Sequence, residues 1–141
     1  MIRQLALIGL TLGIISFSLT LAEANELEQQ MAIGSAEDWL HLVDNGKYAE
    51  SWEQGATYFK SAIKSADWEQ TIKAVRKPLG NVISRSIVSQ QYTTTLPGAP
   101  DGKYVVIQYQ TSFANKKEAI ETITPMMDKD GKWHVSGYFI K

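Results

Sequence analysis

A short acidic segment at 128–131, with the sequence Asp-Lys-Asp-Gly, contains residue types that could begin a calcium-binding loop. Such a loop also needs a third Asp or Asn, a glycine at its sixth position and a glutamate at its twelfth. Here the strand-like residues Trp133 and Val135 follow almost immediately. Asp and Gly also favour the backbone conformations of tight hairpins. The segment therefore predicts a hairpin turn and not a cation site.

The residue types needed for other common chemistries are sparse. The two histidines, His41 and His134, have no partner at the spacing of a metal-binding motif, and the chain has no cysteine. Neither a G-x-S-x-G motif nor a glycine-rich phosphate loop occurs. We therefore predict no metal site, no cofactor and no catalytic nucleophile.

Polar groups that could enter an enclosed pocket are the better candidates for function. A tyrosine hydroxyl needs a partner when it is buried, and a large aromatic ring on a helix either lines a cavity or fills the core. An arginine at a helix end or in a strand either forms an ion pair or binds a ligand carboxylate through two hydrogen bonds. On this basis the candidate ligand-binding residues are Tyr48, Trp52, Arg76, Arg85 and Tyr109.

An alternative hypothesis is a small acid/base enzyme. Asp44 or His41 would be the base, and Tyr48 or Tyr109 would donate a hydrogen bond. At about 100° per residue, however, His41 lies about 140° from the centre of its helix's apolar stripe and is expected to face water.

The elements that must position these residues are, first, three amphipathic helices. Apolar residues spaced three and four apart predict helices over 32–43 and 48–63. Ser65 or Asp67 is expected to cap a third helix, which Pro78 and Gly80 end. Its expected buried face consists of Trp68, Ile72, Val75 and Leu79.

From residue 81 the pattern changes to β-branched and aromatic residues with a period of two. Strands are predicted over 82–95, 103–113, 117–127 and 132–140. Their short connections favour antiparallel neighbours. The predicted fold is α+β, with three N-terminal helices packed on a four-stranded antiparallel meander. One face of the second strand is expected to consist of Val105, Ile107, Tyr109, Thr111 and Phe113.

Composition excludes some partners. The 141 residues include 15 acidic and 14 basic side chains, which give a net charge of −1. No basic field offsets phosphate, so nucleic acid is not an expected partner. An apolar content of 44% is ordinary for a globular domain, and we expect one α+β domain over 25–141.

The amino terminus predicts export. Arg3 precedes an uncharged apolar stretch over 5–21, and Ala22-Glu23-Ala24 matches the A-x-A pattern of a cleavage site. We therefore expect a signal peptide at 1–24 and a periplasmic or secreted protein without a stable membrane anchor. A retained anchor is the alternative, although the stretch would span only about 26 Å of a hydrocarbon core of about 30 Å.

Four segments, at 36–52, 76–80, 96–106 and 130–140, resemble in order the bacterial domain-of-unknown-function family 4019. The resemblance covers nearly all of the chain after residue 24. It implies a cone-shaped fold like that of nuclear transport factor 2, in which a curved sheet wraps around helices. The family carries no established activity, so the resemblance assigns no catalytic residue.

Taken together, these patterns predict an exported binding or interaction module without evident catalysis, whose partner is an unknown small molecule or protein. The loop 96–102 holds two prolines and two glycines, and is expected to be exposed and ordered, with Asp101-Gly102 as the turn into the second strand. A third hypothesis is a structural role as a homodimer joined through the outer face of the sheet. Its candidate residues are Tyr104, Val106, Ile120, Met126, Tyr138 and Ile140.

Overall fold

The computed structural model describes residues 14–141, and its first helix, α1, runs from Leu21 to Asp44. Thr20 caps this helix in a capping box with Glu23. After the helix, Gly46 takes a φ of +71°, which suits glycine and turns the chain towards the next element. The expected leader lies partly outside the described residues, and its segment 22–24 forms part of α1.

The single second helix expected over 48–63 is instead two short helices, α2 (Tyr48–Glu53) and α3 (Thr57–Ala62). Between them Ala56 is extended, and its N–H donates to the carbonyl of Val135 at 2.8 Å. Gly55 lies so close to Phe59 that an added Cβ would sit 2.5 Å from the ring. The helical pattern is interrupted because this backbone pairs with the sheet.

Helix α4 runs from Ser65 to Arg76 and continues into a 3-10 turn at Lys77–Leu79. Its N-cap is Lys64, without a side-chain cap, so the expected capping by Ser65 or Asp67 is wrong. Its buried residues are Trp68, Ile72 and Arg76, whereas Val75 is 42% exposed. The helix therefore directs an arginine, and not Val75, into the protein.

Four antiparallel strands follow in the order β1-β2-β3-β4. They are β1 (Val82–Thr93), β2 (Tyr104–Phe113), β3 (Lys116–Met127) and β4 (Trp133–Ile140). The expected alternation of β2 is confirmed, since all five residues of its predicted inner face are buried. The hairpin turn at 128–131 also forms as predicted, with Gly131 at a φ of +76°.

The helices cover the inner face of the sheet, which confirms the α+β class. Trp39 lies at the centre of this core, with its ring 5.8 Å from that of Trp68 and 5.2 Å from that of Tyr138. Ser51 joins two of these indoles: its carbonyl accepts from Trp39 Nε1 at 2.8 Å and its hydroxyl from Trp68 Nε1 at 2.9 Å. The aromatic stripe of the helices therefore mainly fills the core.

The loop 96–102 is anchored by two tyrosines. Tyr58 donates to the carbonyl of Gly98 at 3.0 Å, and Tyr104 donates to the carbonyl of Pro100. A hydrogen-bonded turn lies at Pro97–Gly98, where Gly98 has a φ of +77°. Glycine is needed at that position because of its positive φ. The chain bends again at 101–102, just before β2, and the N–H of Gly102 donates to the carbonyl of Thr94 at 3.0 Å.

Candidate functional site

Four charged side chains, each from a different element, meet inside the protein. Asp44 ends α1 and accepts hydrogen bonds from Arg76 Nη2 and Arg85 Nη1, each at 2.7 Å. Arg85, on β1, also donates through Nε to Glu121 Oε1 on β3 at 2.7 Å. We call Asp44, Arg76, Arg85 and Glu121 the ionic cluster. Two positive charges face two negative charges, so the cluster is neutral.

Glu121 is the most deeply placed member, with 0% of its surface exposed. Besides Arg85, the hydroxyls of Thr111 and Tyr138 donate to its carboxylate. A buried carboxylate is tolerated only where it is paired and hydrogen-bonded, and Glu121 meets both conditions. Glu121, on β3, therefore accepts hydrogen bonds from side chains on all three other strands, β1, β2 and β4.

Contacts within the cluster favour the charged forms of Asp44 and Arg85. Burial would raise the pKa of Asp44, but the hydrogen bonds and charges of Arg85 and Arg76 outweigh burial and lower it. Burial would lower the pKa of Arg85, whereas its hydrogen bonds and charge interactions with Asp44 and Glu121 raise it overall. Burial and the neighbouring charge of Glu121 raise the pKa of Tyr138 well above its ordinary value.

This arrangement weakens the acid/base hypothesis. A general base near neutral pH needs a pKa close to 7, whereas the pKa of Asp44 is lowered below its ordinary value of 3.8 and both carboxylate oxygens are occupied by arginine donors. His41 is exposed, as its helix position predicts.

The five candidate ligand-binding residues have different surroundings. Arg76 and Arg85 are engaged in the ionic cluster. Trp52 Nε1 donates to a backbone carbonyl at the end of α3 at 2.8 Å, and Tyr48 packs half-buried against the core. Tyr109 is 3% exposed, and its hydroxyl has no hydrogen-bond partner in the described part of the chain.

Arg76 is also incompletely paired. Its Nε and Nη1 are buried without a hydrogen-bond partner among residues 14–141, and its guanidinium lies 5.0 Å from the ring centre of Phe113. That distance permits a cation–π contact. The aromatic ring therefore stabilises a charge that Asp44 contacts through only one nitrogen.

A groove of about 660 Å³ lies elsewhere, along α1. Its volume is within the range of small-molecule sites, about 300–1,000 Å³. None of the five candidate residues lines it. The lining is formed by Met31, Gly34, Ser35, Asp38, Trp39 and Leu42 of α1, by Glu50 and Gln54, and by residues 131–134.

Two features distinguish this groove from an ordinary surface depression. Gly34 lies in the middle of a helix, where glycine costs about 1 kcal/mol relative to alanine, and an added Cβ would meet nothing within 4 Å. Trp133 is 5% exposed, and its Nε1 has no hydrogen-bond partner in the part of the chain that the structure describes. The groove is therefore kept open at one wall, and its lining includes Trp133, a buried residue whose indole N–H has no partner among residues 14–141.

The chain matches the model of a known protein family. The family model described as a protein of unknown function, DUF4019, matches residues 35–138. The chain belongs to the DUF4019 family. The match includes all four residues of the ionic cluster and most of the groove. None of the curated proteins matches this DUF4019 chain.

In this DUF4019 protein a histidine fixes one wall of the groove. His134 Nδ1 lies 3.0 Å from the carbonyl oxygen of Gln54, and Nε2 lies 2.8 Å from Asp130 Oδ2. Asp128 reinforces the same junction by accepting from the backbone N–H and hydroxyl of Thr57 at 2.8 and 3.0 Å. The 128–131 turn thus joins the sheet to the segment between α2 and α3.

Residues 14–141 of this DUF4019 protein lack two kinds of feature. No group of three or more His, Cys, Asp or Glu residues there could hold a metal ion. No helix in that range is long and apolar enough to cross a membrane.

The residues expected on a dimer face are only partly available. Tyr104 is 0% and Met126 9% exposed, and Tyr138 contacts Trp39 on the inner face. Tyr138 lies inside because its hydroxyl binds Glu121. The expected face is therefore wrong for these three residues.

Sequence reasoning missed Glu121, Gly34 and Trp133. Glu121 did leave a signal, because it alternates with the apolar residues Ala119 and Ile123 on the inward face of a strand. A charged residue at such a position indicates a buried partner. No sequence pattern indicated the groove, because its walls come from segments about 90 residues apart.

Proposed function

We propose that this DUF4019 protein is an exported, non-catalytic binding module that holds its ligand in the groove along α1. The observation that carries the proposal is the groove itself, which has a volume of about 660 Å³ and a lining that includes Trp39, Trp133, Met31 and Leu42. Apolar walls with a few polar groups are typical of sites that bind small molecules. Export is supported by the leader-like pattern at 1–24.

A pair of substitutions at Gly34 tests the site without disturbing the core. Gly34→Trp should fill the groove from the exposed side of α1, because the space above Gly34 is open. Gly34→Ala should leave the groove accessible and stabilise the helix by about 0.5–1 kcal/mol. The alanine variant is therefore the matched control for folding and for helix propensity.

The measurement is native mass spectrometry of ligand retained by protein purified from its export compartment. We expect the wild type and Gly34→Ala to retain the same added mass and Gly34→Trp to lose it. Retention by Gly34→Trp, or no retained mass in any of the three proteins, contradicts the proposal. Turnover of a metabolite that Gly34→Trp abolishes would contradict the non-catalytic part of the proposal and place the chemistry in the groove.

A further inference from the structure

The charges of the groove identify the kind of ligand it suits. Asp38 on α1 and Glu50 on α2 both line it, and neither carboxylate forms an ion pair with another residue in the range 14–141. Both residues are exposed, so each carboxylate is free to meet a solute. A cation entering the groove would meet two negative charges on the helical side.

Aromatic rings complement these carboxylates. Trp39 and Trp133 both line the groove, and tryptophan is the aromatic residue that attracts cations best. Indole rings combined with carboxylates are suited to an organic ammonium group, which keeps an apolar body beside its charge. Met31 and Leu42 extend the apolar lining along the same helix.

The two basic residues that line the groove do not cancel its preference for a cation. His134 is matched by Asp130, whose Oδ2 lies 2.8 Å from Nε2, and that hydrogen bond lowers the pKa of Asp130. Lys132 is exposed and forms no ion pair among the described residues. A bound cation would therefore be attracted by two carboxylates and repelled by one ammonium group.

We propose that the groove binds an organic ammonium ion with an aromatic or aliphatic body. Its charge is held by Asp38 and Glu50, and its body lies against the apolar lining, which comprises Met31, Leu42 and the largely buried Trp39 and Trp133. This inference rests on the proposed function, because it concerns the ligand of the same groove.

The probes are 2-phenylethylamine, the neutral 2-phenylethanol and the anionic 3-phenylpropionate, titrated into the full exported chain. The reporter is the indole N–H signal of Trp133 in a nitrogen-15 correlation spectrum. The other three indole N–H groups donate to Ser51 or Ile63, whereas that of Trp133 has no partner in the described part of the chain and should give a distinct response. We expect the amine to bind about tenfold more tightly than the alcohol and the anion to bind most weakly.

Charge variants then measure how much each charged residue of the groove contributes to amine binding. Asp38→Asn and Glu50→Gln should each weaken amine binding about two- to fivefold, and Lys132→Gln should strengthen it. Glu37→Gln is the matched control, since Glu37 is exposed on α1 beside Asp38 but does not line the groove. It should change the dissociation constant by less than about twofold.

The outcomes distinguish this inference from the proposed function. Equal binding of amine and alcohol, unaffected by Asp38→Asn and Glu50→Gln, overturns the ammonium preference but leaves a binding groove. If the anion binds more tightly than the amine and Lys132→Gln removes that binding, the ammonium preference is wrong and the groove prefers an anion. If the amine leaves the Trp133 signal unmoved, the inference is wrong, and retention of a native ligand in the Gly34 series decides the proposed function separately.

Discussion

Replacing Arg85 with methionine tests whether the ionic cluster determines the stability of the fold. Arg85 donates two hydrogen bonds to Asp44 and two to Glu121, at 2.7–3.2 Å. Its removal would leave the carboxylate of Glu121, which is 0% exposed, without a cation. Breaking a buried ion pair at one partner costs about 3–5 kcal/mol. That is a large part of the roughly 5–15 kcal/mol by which a domain is stable.

Urea denaturation at pH 7 measures this loss as a change in the free energy of unfolding. Lys103→Met is the control, because Lys103 and Glu28 form a surface pair at 2.6 Å, with side chains 47% and 28% exposed. Such a pair contributes less than about 1 kcal/mol. A loss in Arg85→Met no larger than in Lys103→Met would refute the reasoning.

A double variant keeps the test decisive if Arg85→Met does not fold. Arg85→Met combined with Glu121→Leu removes both charges, and apolar replacement of a buried pair is often close to neutral. We expect the double variant to be more stable than Arg85→Met alone. Equal instability would show that removing the unpaired carboxylate brings no net gain once the hydroxyls of Thr111 and Tyr138 have lost their acceptor.

Three further predictions concern other parts of the molecule. Replacing the loop 96–102 with Asp-Gly should cost about 1–3 kcal/mol in urea denaturation, because it uncovers the buried ring of Tyr104; unchanged stability would show that the loop is dispensable. Burial raises the pKa of Tyr109 to about 12. The contribution of this pKa difference to the free energy of unfolding is therefore fully present below about pH 10, where the unfolded tyrosine also keeps its proton. It should be lost as the pH rises from about 10 to about 12. Alkaline denaturation should show a shallower fall in Tyr109→Phe, and an identical slope would contradict this cause. A chain that starts at Asn25 should melt within about 5 °C of the full chain, because the buried residues of α1 begin at Ala32; a loss of cooperative melting would disprove it.

Local patterns in the sequence were sufficient for most of the secondary structure. The alternation from Val105 to Phe113 predicted which side of β2 is buried, because side chains on a strand alternate between faces. The Asp-Gly turn before β4 was predicted for the same local reason, since glycine tolerates positive φ. The break in the expected second helix was not predicted, because it depends on a hydrogen bond from Ala56 to Val135 in a distant strand.

The candidate site was less accessible from the sequence. Arg76 and Arg85 were selected as candidate ligand-binding residues, with an ion pair as the alternative, and the acid that each would meet in such a pair was left open. Their partners are 32 to 41 residues away along the chain, and no periodicity connects positions so far apart. The prediction of a ligand carboxylate stays a prediction, although both arginines already have carboxylate partners within the protein.

The sequence by itself determined that helices precede four strands, which face of β2 is buried and the family, because these depend on residue type and spacing along one segment. Only the tertiary structure decided that Glu121 lies among arginine, threonine and tyrosine donors, and that Gly34 and Trp133 share a groove. The physical reason is that ion pairs and grooves arise where separate elements pack together. Their geometry is set by the relative placement of those elements, which the periodicity of any single element does not encode.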